Sequence, residues 1–283
     1  MPYTVTDSLA ELLPDLGRRT VGMGILNVTP DSFSDGAALS ADERIARGLA
    51  MVAEGADILD IGGESTRPGS DGVSVEEELA RVLPVIYGIR RRSAIPISVD
   101  TSKAEVARQA LEVGGDMVND VTALAGDPEM LAVVADAGCP VILMHMLGMP
   151  RTMQDDPQYE DVIGDISSFL RDRIRAALDA GIDERDIIID PGIGFGKTVD
   201  HNLEIIRRLR EFEALGRPIL IGTSRKTFIG KILDLPVEDR LEGSLATVAA
   251  SIMNGASIVR VHDVQPTVRV ARMVDAVIQG VGG

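Results

Sequence analysis

The chain has 283 residues, of which 45% are hydrophobic and 25% are charged, and these fractions are typical of a globular protein. Its formal net charge is −16, which argues against nucleic acids and anionic membrane surfaces as partners, although a local cluster of cations could still bind an anionic substrate. No stretch approaches the roughly 18 uninterrupted apolar residues of a membrane helix, so we also expect no membrane span.

The N-terminal segment, residues 1–18, is acidic and has no basic region of the kind that begins a signal peptide. We expect it to form an arm or a helix ahead of one domain over residues 19–283, because we find no linker or low-complexity segment in that range. The single cysteine, Cys139, lies in an apolar run and cannot form a disulfide within the chain. These features favour a cytoplasmic protein.

Eight short apolar runs follow, rich in Val and Ile and with little polar alternation, as expected of strands that are buried on both faces. The predicted strands are TVGMGILN (20–27), DILDIGG (57–63), IPISVD (95–100), DMVND (116–120), PVILMH (140–145), DIIID (186–190), PILIGT (218–223) and SIVRVH (257–262). Amphipathic helical patterns lie between them, and several end in Gly. Eight such units predict an α/β fold of the (β/α)8 TIM barrel type, with a doubly wound sheet as the alternative.

Almost every predicted strand ends in a polar residue. In chain order the strand ends carry Asn27, Gly62-Gly63-Glu64, Asp100, Asn119-Asp120, His145, Asp190, Thr223-Ser224, and Arg260 with His262. Any one of them taken alone can be a turn or a helix cap, since Asp, Asn, Ser and Thr are favoured there. In a barrel, however, all these ends lie on the face where active sites are found. Together they indicate one shared site.

Eight motifs, in this order, resemble those of the dihydropteroate synthase family over roughly residues 20–275. They are GILNVTPDSFSDG, GGESTRPG, ISVDTSK, VNDV, MHMLGMPRTMQ, DPGIGFGK, GTSRKTFIG and RVHDV. The resemblance implies a pterin-binding (β/α)8 barrel. It implies an enzyme that joins 6-hydroxymethyl-7,8-dihydropterin diphosphate to p-aminobenzoate, with release of pyrophosphate. It further implies Mg2+ as cofactor, these small molecules as substrates, and a homodimer.

The resemblance assigns the pterin to side chains at the strand ends, and their chemistry suits it. The implied pterin-binding residues are Asp100, Asn119, Met144, Asp190, Phe195, Lys226 and Arg260. A carboxylate such as Asp190 can accept two parallel N–H bonds from the amino-pyrimidinone edge of the ring. The charge of Asp100 suits positive charge that develops in the transition state. For Phe195, packing in the core is an equally good expectation.

The resemblance assigns the diphosphate to a second set, which is Asn27, Thr66, Arg67, Arg260 and His262. Arg260 and His262 alternate on the last strand and so point the same way, and a guanidinium binds phosphate oxygens with a planar fork. Asn27 offers a neutral oxygen to Mg2+, which prefers oxygen ligands. The catalytic residues implied are Asp35, Asp100, Lys226, Arg260 and His262, and Asp31 and Asp35 lie within reach of the metal.

Two loops, TPDSFSDG and ESTRPGS, resemble the mobile active-site loops of the family. The implied p-aminobenzoate contacts are Phe33, Thr66, Pro68, Ser224 and Lys226. We expect Arg225 to lie close by and to support Lys226 without touching substrate. No residue need act as a covalent nucleophile, because the amine attacks the exocyclic CH2 while pyrophosphate leaves, and closing loops exclude the competing water.

Four other interpretations stay open at this point. DPGIGFGKT resembles a nucleotide-binding P-loop, but it has one residue too few and lacks the first Gly, so Lys197 is expected on a solvated turn. Lys226 could form a Schiff base in an aldolase on the same fold. A folate methyltransferase shares the pterin-binding barrel, and a non-catalytic paralogue could bind pterin alone.

His145 is as suited to structure as to function, and His201 is expected at the surface.

Overall fold

The eight predicted strands are present in the structure, a computed structural model that describes residues 9–29, 39–65, 70, 72–148 and 152–280. The strands are β1 (Val21–Asn27), β2 (Ile58–Gly62), β3 (Ile97–Asp100), β4 (Met117–Asp120), β5 (Val141–Met144), β6 (Ile187–Asp190), β7 (Leu220–Ile221) and β8 (Ile258–Val261). β7 is shorter than its sequence pattern because Pro218 has no N–H to donate and a turn begins after Gly222.

All the strands are parallel and form a single closed sheet. Their order is β6-β5-β4-β3-β2-β1-β8-β7. The two outer strands of that order meet where Ile189 pairs with Ile219, and the Ile189 N–H donates to the Pro218 carbonyl over 3.0 Å. A doubly wound sheet would leave two open edges. The prediction of a (β/α)8 barrel is therefore confirmed.

Among the described residues, one short helix precedes β1, a helix or a pair of helices connects each strand to the next around the outside of the barrel, and one helix follows β8. The helices are α1 (Leu9–Leu12), α2 (Ala41–Ala53), α3 (Val75–Arg90), α4 (Ala104–Glu112), α5 (Met130–Ala137), α6 (Val162–Asp179), α7 (Val199–Arg207), α8 (Thr227–Leu233), α9 (Leu241–Met253) and α10 (Val264–Gln279). Within the described residues, none of these helices combines the length and the apolar character needed to cross a membrane.

Two helices begin at serine caps that lie four residues after the ends of the segments predicted as active-site loops. The Ser40 hydroxyl accepts the Glu43 N–H, and the Glu43 carboxylate accepts the Ser40 N–H over 2.8 Å, which is a complete capping box. At α3 the Ser74 hydroxyl accepts the Glu77 N–H over 3.2 Å. Each cap contributes about 1 kcal/mol and fixes where the chain re-enters the barrel wall.

The barrel interior is filled by inward-facing apolar side chains near the starts of the strands. The cluster contains Val21, Met23, Ile58, Met117, Ile142, Ile188, Leu220 and Ile258, together with Leu9 and Leu13 from the N-terminal segment. The Leu9 N–H donates to Asp186 Oδ1 over 2.7 Å. Burial of each leucine contributes about 2 kcal/mol. Leu9 and Leu13 thus cover the bottom of the barrel, and the polar strand ends lie at the opposite face.

Candidate active site

The strand register brings the polar strand ends to one level of the barrel. Asn27 of β1 pairs with Gly62 of β2, and Gly62 pairs in turn with Asp100 of β3. Asp100 pairs with Asn119 of β4. Residues that pair in register point to the same face of a sheet, so the side chains of Asn27, Asp100 and Asn119 converge at the top of the barrel.

Arg260 connects two of these strand ends through a buried carboxylate. Its Nε donates to Asp60 Oδ2 and its Nη2 donates to Asp100 Oδ2, each over 2.6 Å. The Asn119 amide donates to the same Asp60 oxygen over 3.2 Å. Gly62 leaves room for this arrangement, because a Cβ at that position would lie 3.2 Å from the Cβ of Asp100. The structure therefore brings together three predicted residues, Asp100, Asn119 and Arg260.

Asp60 is a residue of this site that the sequence analysis missed. Its side chain is fully buried in the centre of β2, and one of its carboxylate oxygens has no protein partner among the described residues. A signal for it existed in the run DILDIGG. A charged residue in the middle of a strand that is buried on both faces needs a cation nearby, because an unpaired buried charge is very costly. In the structure that cation is Arg260.

The electrostatics of Asp100 follow from this crowding. Burial raises the pKa of the Asp100 carboxyl, and the Arg260 guanidinium lowers it. The neighbouring carboxylates of Asp60, Glu78 and Asp120 raise the pKa further. Arg260 is thus shared by Asp60 and Asp100, whereas Glu78 is paired with Lys103, and the ionised form of Asp100 places a negative charge at the strand ends. This charge suits a substrate centre that becomes positive during reaction.

Asp190 lies at the end of β6, where it organises the tight turn that follows. Its side chain is 6% exposed, and its Oδ1 accepts the Gly192 N–H over 2.7 Å. Gly192 has φ +70°, and a Cβ there would lie 1.9 Å from the His145 carbonyl oxygen, so only Gly fits. Burial raises the pKa of Asp190, whereas the Gly192 N–H and the charges of Lys226 and Arg260 lower it.

Lys226 and Phe195 form one wall of the same site. The Lys226 ammonium lies 4.2 Å from the centroid of the Phe195 ring, which is within cation–π range. Gly194, with φ +82°, allows this approach, because a Cβ there would lie 3.2 Å from Lys226 Cδ. Phe195 follows β6 and Lys226 follows β7, so two predicted pterin-binding residues from different loops are in direct contact.

The remaining described candidates lie around this group. Ser224 Oγ is 3.0 Å from His262 Nδ1 and accepts the His262 N–H over 3.2 Å, so the Ser224 hydroxyl contacts His262. Met144 is 4% exposed at the end of β5, in register with Asp190. Asn27 is partly exposed at the end of β1. Asp31, Phe33, Asp35, Thr66, Arg67 and Pro68, which the sequence analysis also predicted, lie outside the described residues.

The prediction that Lys197 lies on a solvated turn is wrong. The residue is 3% exposed, its Nζ lies 3.0 Å from His145 Nδ1, and it donates to the Phe195 carbonyl over 2.9 Å. Gly194 and Gly196 both have positive φ, and the turn that they form directs Lys197 inwards. Burial lowers the pKa of the Lys197 amine to about 7. Burial also lowers the pKa of His145, to about 3.

The buried amine should make stability depend on pH in a way that Lys197→Met removes. The folded pKa of Lys197 lies below its unfolded value of 10.5, so between those values the unfolded chain binds more protons and wild-type stability rises with pH. We expect the free energy of unfolding of wild type, relative to the variant, to increase by up to about 1.4 kcal/mol per pH unit in that window. Urea unfolding from about pH 7 to about pH 10 measures it. Parallel profiles of the two proteins would contradict the assignment.

Comparison with known proteins places this geometry in a family. A model of the pterin binding enzyme family matches residues 23–262. The dihydropteroate synthase of Synechocystis sp. is 49% identical over 270 residues, which cover 95% of this chain and 93% of the relative. That of Bacillus subtilis is 48% identical over 261 residues, covering 92% and 89%.

Solved structures give the same result. The Yersinia pestis dihydropteroate synthase, solved as a sulfonamide drug complex, has a TM-score of 0.89 at 42% identity and covers 93% of this chain and 96% of its own. The Xanthomonas albilineans dihydropteroate synthase in complex with 7,8-dihydropteroate has a TM-score of 0.84 at 45% identity, covering 92% and 94%. With the closed barrel and its polar rim, these matches show that the chain belongs to the dihydropteroate synthase family of pterin-binding enzymes.

Proposed function

We propose that this protein condenses 6-hydroxymethyl-7,8-dihydropterin diphosphate with p-aminobenzoate to give 7,8-dihydropteroate and pyrophosphate. The observation that carries the proposal is the arrangement at the top of the barrel, where Arg260 lies between Asp60 and Asp100 and next to Asn119. A relative from Xanthomonas albilineans has been solved with 4-aminobenzoic acid and with 7,8-dihydropteroate, which supports the same two substrates here.

The pterin is proposed to lie among the buried polar groups. The Asp190 carboxylate accepts the paired N–H donors of the amino-pyrimidinone edge, and the Asn119 amide can both donate and accept beside it. Lys226 donates to the ring carbonyl, while Met144 and Phe195 supply apolar surface to the ring faces. The low exposure of Asp190 and Asn119, 6% and 5%, strengthens these bonds because little water competes.

The diphosphate is proposed to lie over the strand ends that carry cations. Arg260 and His262 occupy alternate positions at the end of the last strand and so face the same side. Asp60 fixes the Nε side of the Arg260 guanidinium. The Ser224 hydroxyl fixes the His262 ring. Thr66 and Arg67, outside the described residues, are proposed to contact the diphosphate from the other side.

The reaction needs stabilisation of charge and no covalent intermediate with the protein. The amine of p-aminobenzoate attacks the exocyclic CH2 of the pterin as the C–O bond to diphosphate breaks, and the amine then loses a proton. Asp100 stabilises positive charge on the pterin, and Arg260 and His262 stabilise the departing pyrophosphate. Asp35 is proposed to organise the closed loops, which keep water from competing with the amine.

The p-aminobenzoate is proposed to lie between the barrel rim and the two loops. Phe33 and Pro68 supply apolar walls to its ring, and Thr66 lies at its edge. Ser224 and Lys226 lie on the barrel side of this substrate. Ser224 Oγ already contacts His262. Ser224 is therefore proposed both to bind p-aminobenzoate and to hold the His262 imidazole in place.

The residues fit Mg2+ as a cofactor that is held mostly by substrate. Within the described residues, no group of three or more His, Cys, Asp or Glu side chains could hold a metal ion by itself. Mg2+ commonly takes one or two protein oxygens together with phosphate oxygens and water, and Asn27 offers such an oxygen at the end of β1. When bound, Mg2+ would neutralise diphosphate charge and make pyrophosphate a better leaving group.

Removal of the metal should therefore abolish synthesis without unfolding the protein. We expect a chelator to stop dihydropteroate formation and added Mg2+ to restore it. Asn27→Ala should raise the Mg2+ concentration for half-maximal activity by about tenfold, since one oxygen ligand is lost. Titration of activity with Mg2+ at saturating diphosphate substrate measures both effects. An unchanged Mg2+ requirement in Asn27→Ala would remove Asn27 from the metal shell.

A homodimer in the cytoplasm is proposed as the working form. The outer face of α10 supports the dimer, because Met273 and Val277 lie one helical turn apart, each 64% exposed, and Ile278 is 55% exposed. The single cysteine supports a reducing compartment, since one cysteine cannot form the internal disulfides that are common in oxidising compartments. Light scattering of the purified protein tests the dimer: a dimeric mass is expected, and a monomer at working concentration would contradict it.

The experiment that tests the function follows both products. The protein is incubated with dihydropterin diphosphate and Mg2+, with and without p-aminobenzoate, and pyrophosphate and dihydropteroate are measured. We expect release that requires both the amine and the metal, with one dihydropteroate formed per pyrophosphate. Pterin binding without release would favour the non-catalytic paralogue or the methyltransferase. Release unaffected by the amine would contradict the proposed condensation.

A further inference from the structure

The turn that follows β7 contains a residue in an unusual backbone conformation. Arg225 has φ +55°, in the left-handed region that residues other than Gly seldom adopt. The turn is closed by a bond from the Lys226 N–H to the Thr223 carbonyl over 3.2 Å. A conformation of this kind persists only where surrounding contacts hold it, so the contacts of Arg225 become informative.

The Arg225 side chain is held by a bidentate ion pair from the neighbouring strand end. Its Nε donates to Asp263 Oδ2 and its Nη2 donates to Asp263 Oδ1, both over 2.8 Å. The two side chains are 29% and 22% exposed, so solvent only partly screens the pair. Asp263 directly follows His262, and the pair therefore connects the end of β8 to the turn after β7.

The backbone of Arg225 is held as well, by residues at the start of α9. The Arg225 N–H donates to Ser244 Oγ over 2.8 Å, and the Arg225 carbonyl accepts a bond from Arg240 Nη1 over 3.2 Å. Ser244 Oγ in turn donates to the Arg240 carbonyl over 2.7 Å. Both peptide groups of Arg225 thus have fixed partners, and the left-handed backbone is specified from two sides.

This conformation decides where the flanking side chains point. On one side Ser224 contacts His262 over 3.0 Å. On the other side the Lys226 ammonium lies 4.2 Å from the Phe195 ring. Rotation of φ at Arg225 to the ordinary negative range would send the chain out of the turn along a different path. Ser224 and Lys226 would then no longer point in their present directions.

We propose that Arg225 and Asp263 are a positioning pair for the condensation. Their ion pair holds the left-handed turn, and the turn directs Ser224 and Lys226 into the site. Neither member of the pair is proposed to touch substrate. The inference rests on the proposed function of the site, and it assigns to the pair the placement of Lys226 for p-aminobenzoate and for the pterin.

The test separates the conformation from the charge by comparing Arg225→Ala with Arg225→Gly. Both variants lose the ion pair, but only glycine adopts the left-handed region without steric cost. The steric cost for alanine lowers the population of the turn by roughly 5- to 30-fold. We expect the KM for p-aminobenzoate to rise about 30-fold or more in Arg225→Ala and to be at least about fivefold lower in Arg225→Gly than in Arg225→Ala.

Two further variants show whether the residues act as a pair. We expect Asp263→Ala to match Arg225→Ala, and the double variant to be no worse than either, because the same interaction is removed each time. Asp263→Asn keeps the shape and part of the hydrogen bonding, and it should give an intermediate KM even if the alanine variants fold poorly. Arg185→Ala is the matched control: Arg185 forms a similar bidentate pair with Asp183 on an exposed turn, and its loss should change nothing.

The readout is the KM for p-aminobenzoate, which loss of folded protein does not change. Equal KM values in Arg225→Gly and Arg225→Ala, or a wild-type KM in Asp263→Asn and Asp263→Ala, would overturn the positioning role. Wild type is assayed in the same experiment. Failure of wild type to form dihydropteroate would refute the proposed function, whereas an active wild type with unaffected variants would refute only this inference.

Discussion

Asp190→Asn should lose pterin affinity by about 100-fold while keeping its fold. The substitution preserves an oxygen that can still accept the Gly192 N–H, so the turn after β6 remains capped. It replaces a carboxylate that accepts two N–H bonds by an amide that offers one acceptor and one donor. One hydrogen bond to a charged group, about 1.5–3 kcal/mol, is lost, and one ring N–H is left facing a donor, which costs about 1–3 kcal/mol more, so the expected loss is of the order of 100-fold. Calorimetric titration with the dihydropterin measures the change.

Asp120→Asn is the matched control for that experiment. Asp120 is also a fully buried carboxylate at a strand end, and it also accepts backbone N–H bonds, from Thr122 over 2.7 Å and from Leu124 over 2.9 Å. It follows Asn119 on β4, so its side chain points to the other face of the strand. Its pterin affinity should stay within a few-fold of wild type. Normal affinity in Asp190→Asn, or equal losses in both variants, would contradict the assignment of Asp190.

Arg260→Gln should affect both stability and catalysis. The substitution leaves Asp60 and Asp100 buried without their shared cation, and loss of one member of a buried ion pair typically costs about 3–5 kcal/mol of unfolding free energy. We expect kcat to fall by at least about 1000-fold as well, because the same guanidinium is proposed to stabilise the departing pyrophosphate. Urea unfolding and steady-state kinetics measure the two effects separately.

The stability loss in Arg260→Gln should grow as the pH rises. Burial raises the folded pKa of Asp100 above its unfolded value, and Arg260 opposes that rise. Without Arg260 the folded carboxyl holds its proton to higher pH than the unfolded one, so stability falls as pH increases from about 4 upwards. Because the buried Asp100 carboxyl of wild type also keeps its proton up to a pKa of about 7, both proteins lose stability alike below that pH, and the deficit against wild type should grow only above about pH 7. A deficit that does not vary with pH would show that charge is not its cause.

A second substitution separates the two effects of Arg260→Gln. Asp60→Asn, added to it, removes one of the two carboxylates left without a cation, so we expect part of the lost stability to return. Activity should not return, because the group that faces the diphosphate is still absent. Recovery of activity in the double variant would instead mean that Arg260 serves only to neutralise Asp60 inside the barrel.

The fold was predictable from the sequence because each strand is short, apolar on both faces and followed by a helical pattern. That periodicity is local, and all eight predicted strands are present in the barrel, each somewhat shorter than predicted and β7 the most shortened. The rim of polar strand ends was predictable for the same reason, since a parallel barrel places all carboxyl ends together. The N-terminal segment gave no local signal that Leu9 and Leu13 join the barrel interior.

What local patterns could not predict were contacts between distant residues. Asp60 and Arg260 are 200 positions apart, and only closure of the barrel brings the acid beneath its cation. Lys197 looked like a solvated turn lysine because its surroundings are rich in Gly. The positive φ values of Gly194 and Gly196 turn it inwards onto His145, and no composition rule encodes that direction. The φ of Arg225 is a similar case, since its partners come from β8 and α9.

The measurement that tests the central claim most directly is a crystal structure of this protein with the dihydropterin diphosphate. The claim is that the rim of strand ends binds this substrate. We predict that the amino-pyrimidinone edge lies within hydrogen-bond distance of Asp190 and Asn119, and that the diphosphate lies against Arg260 and His262. A pterin bound elsewhere on the barrel, or a diphosphate that contacts neither Arg260 nor His262, would contradict the account.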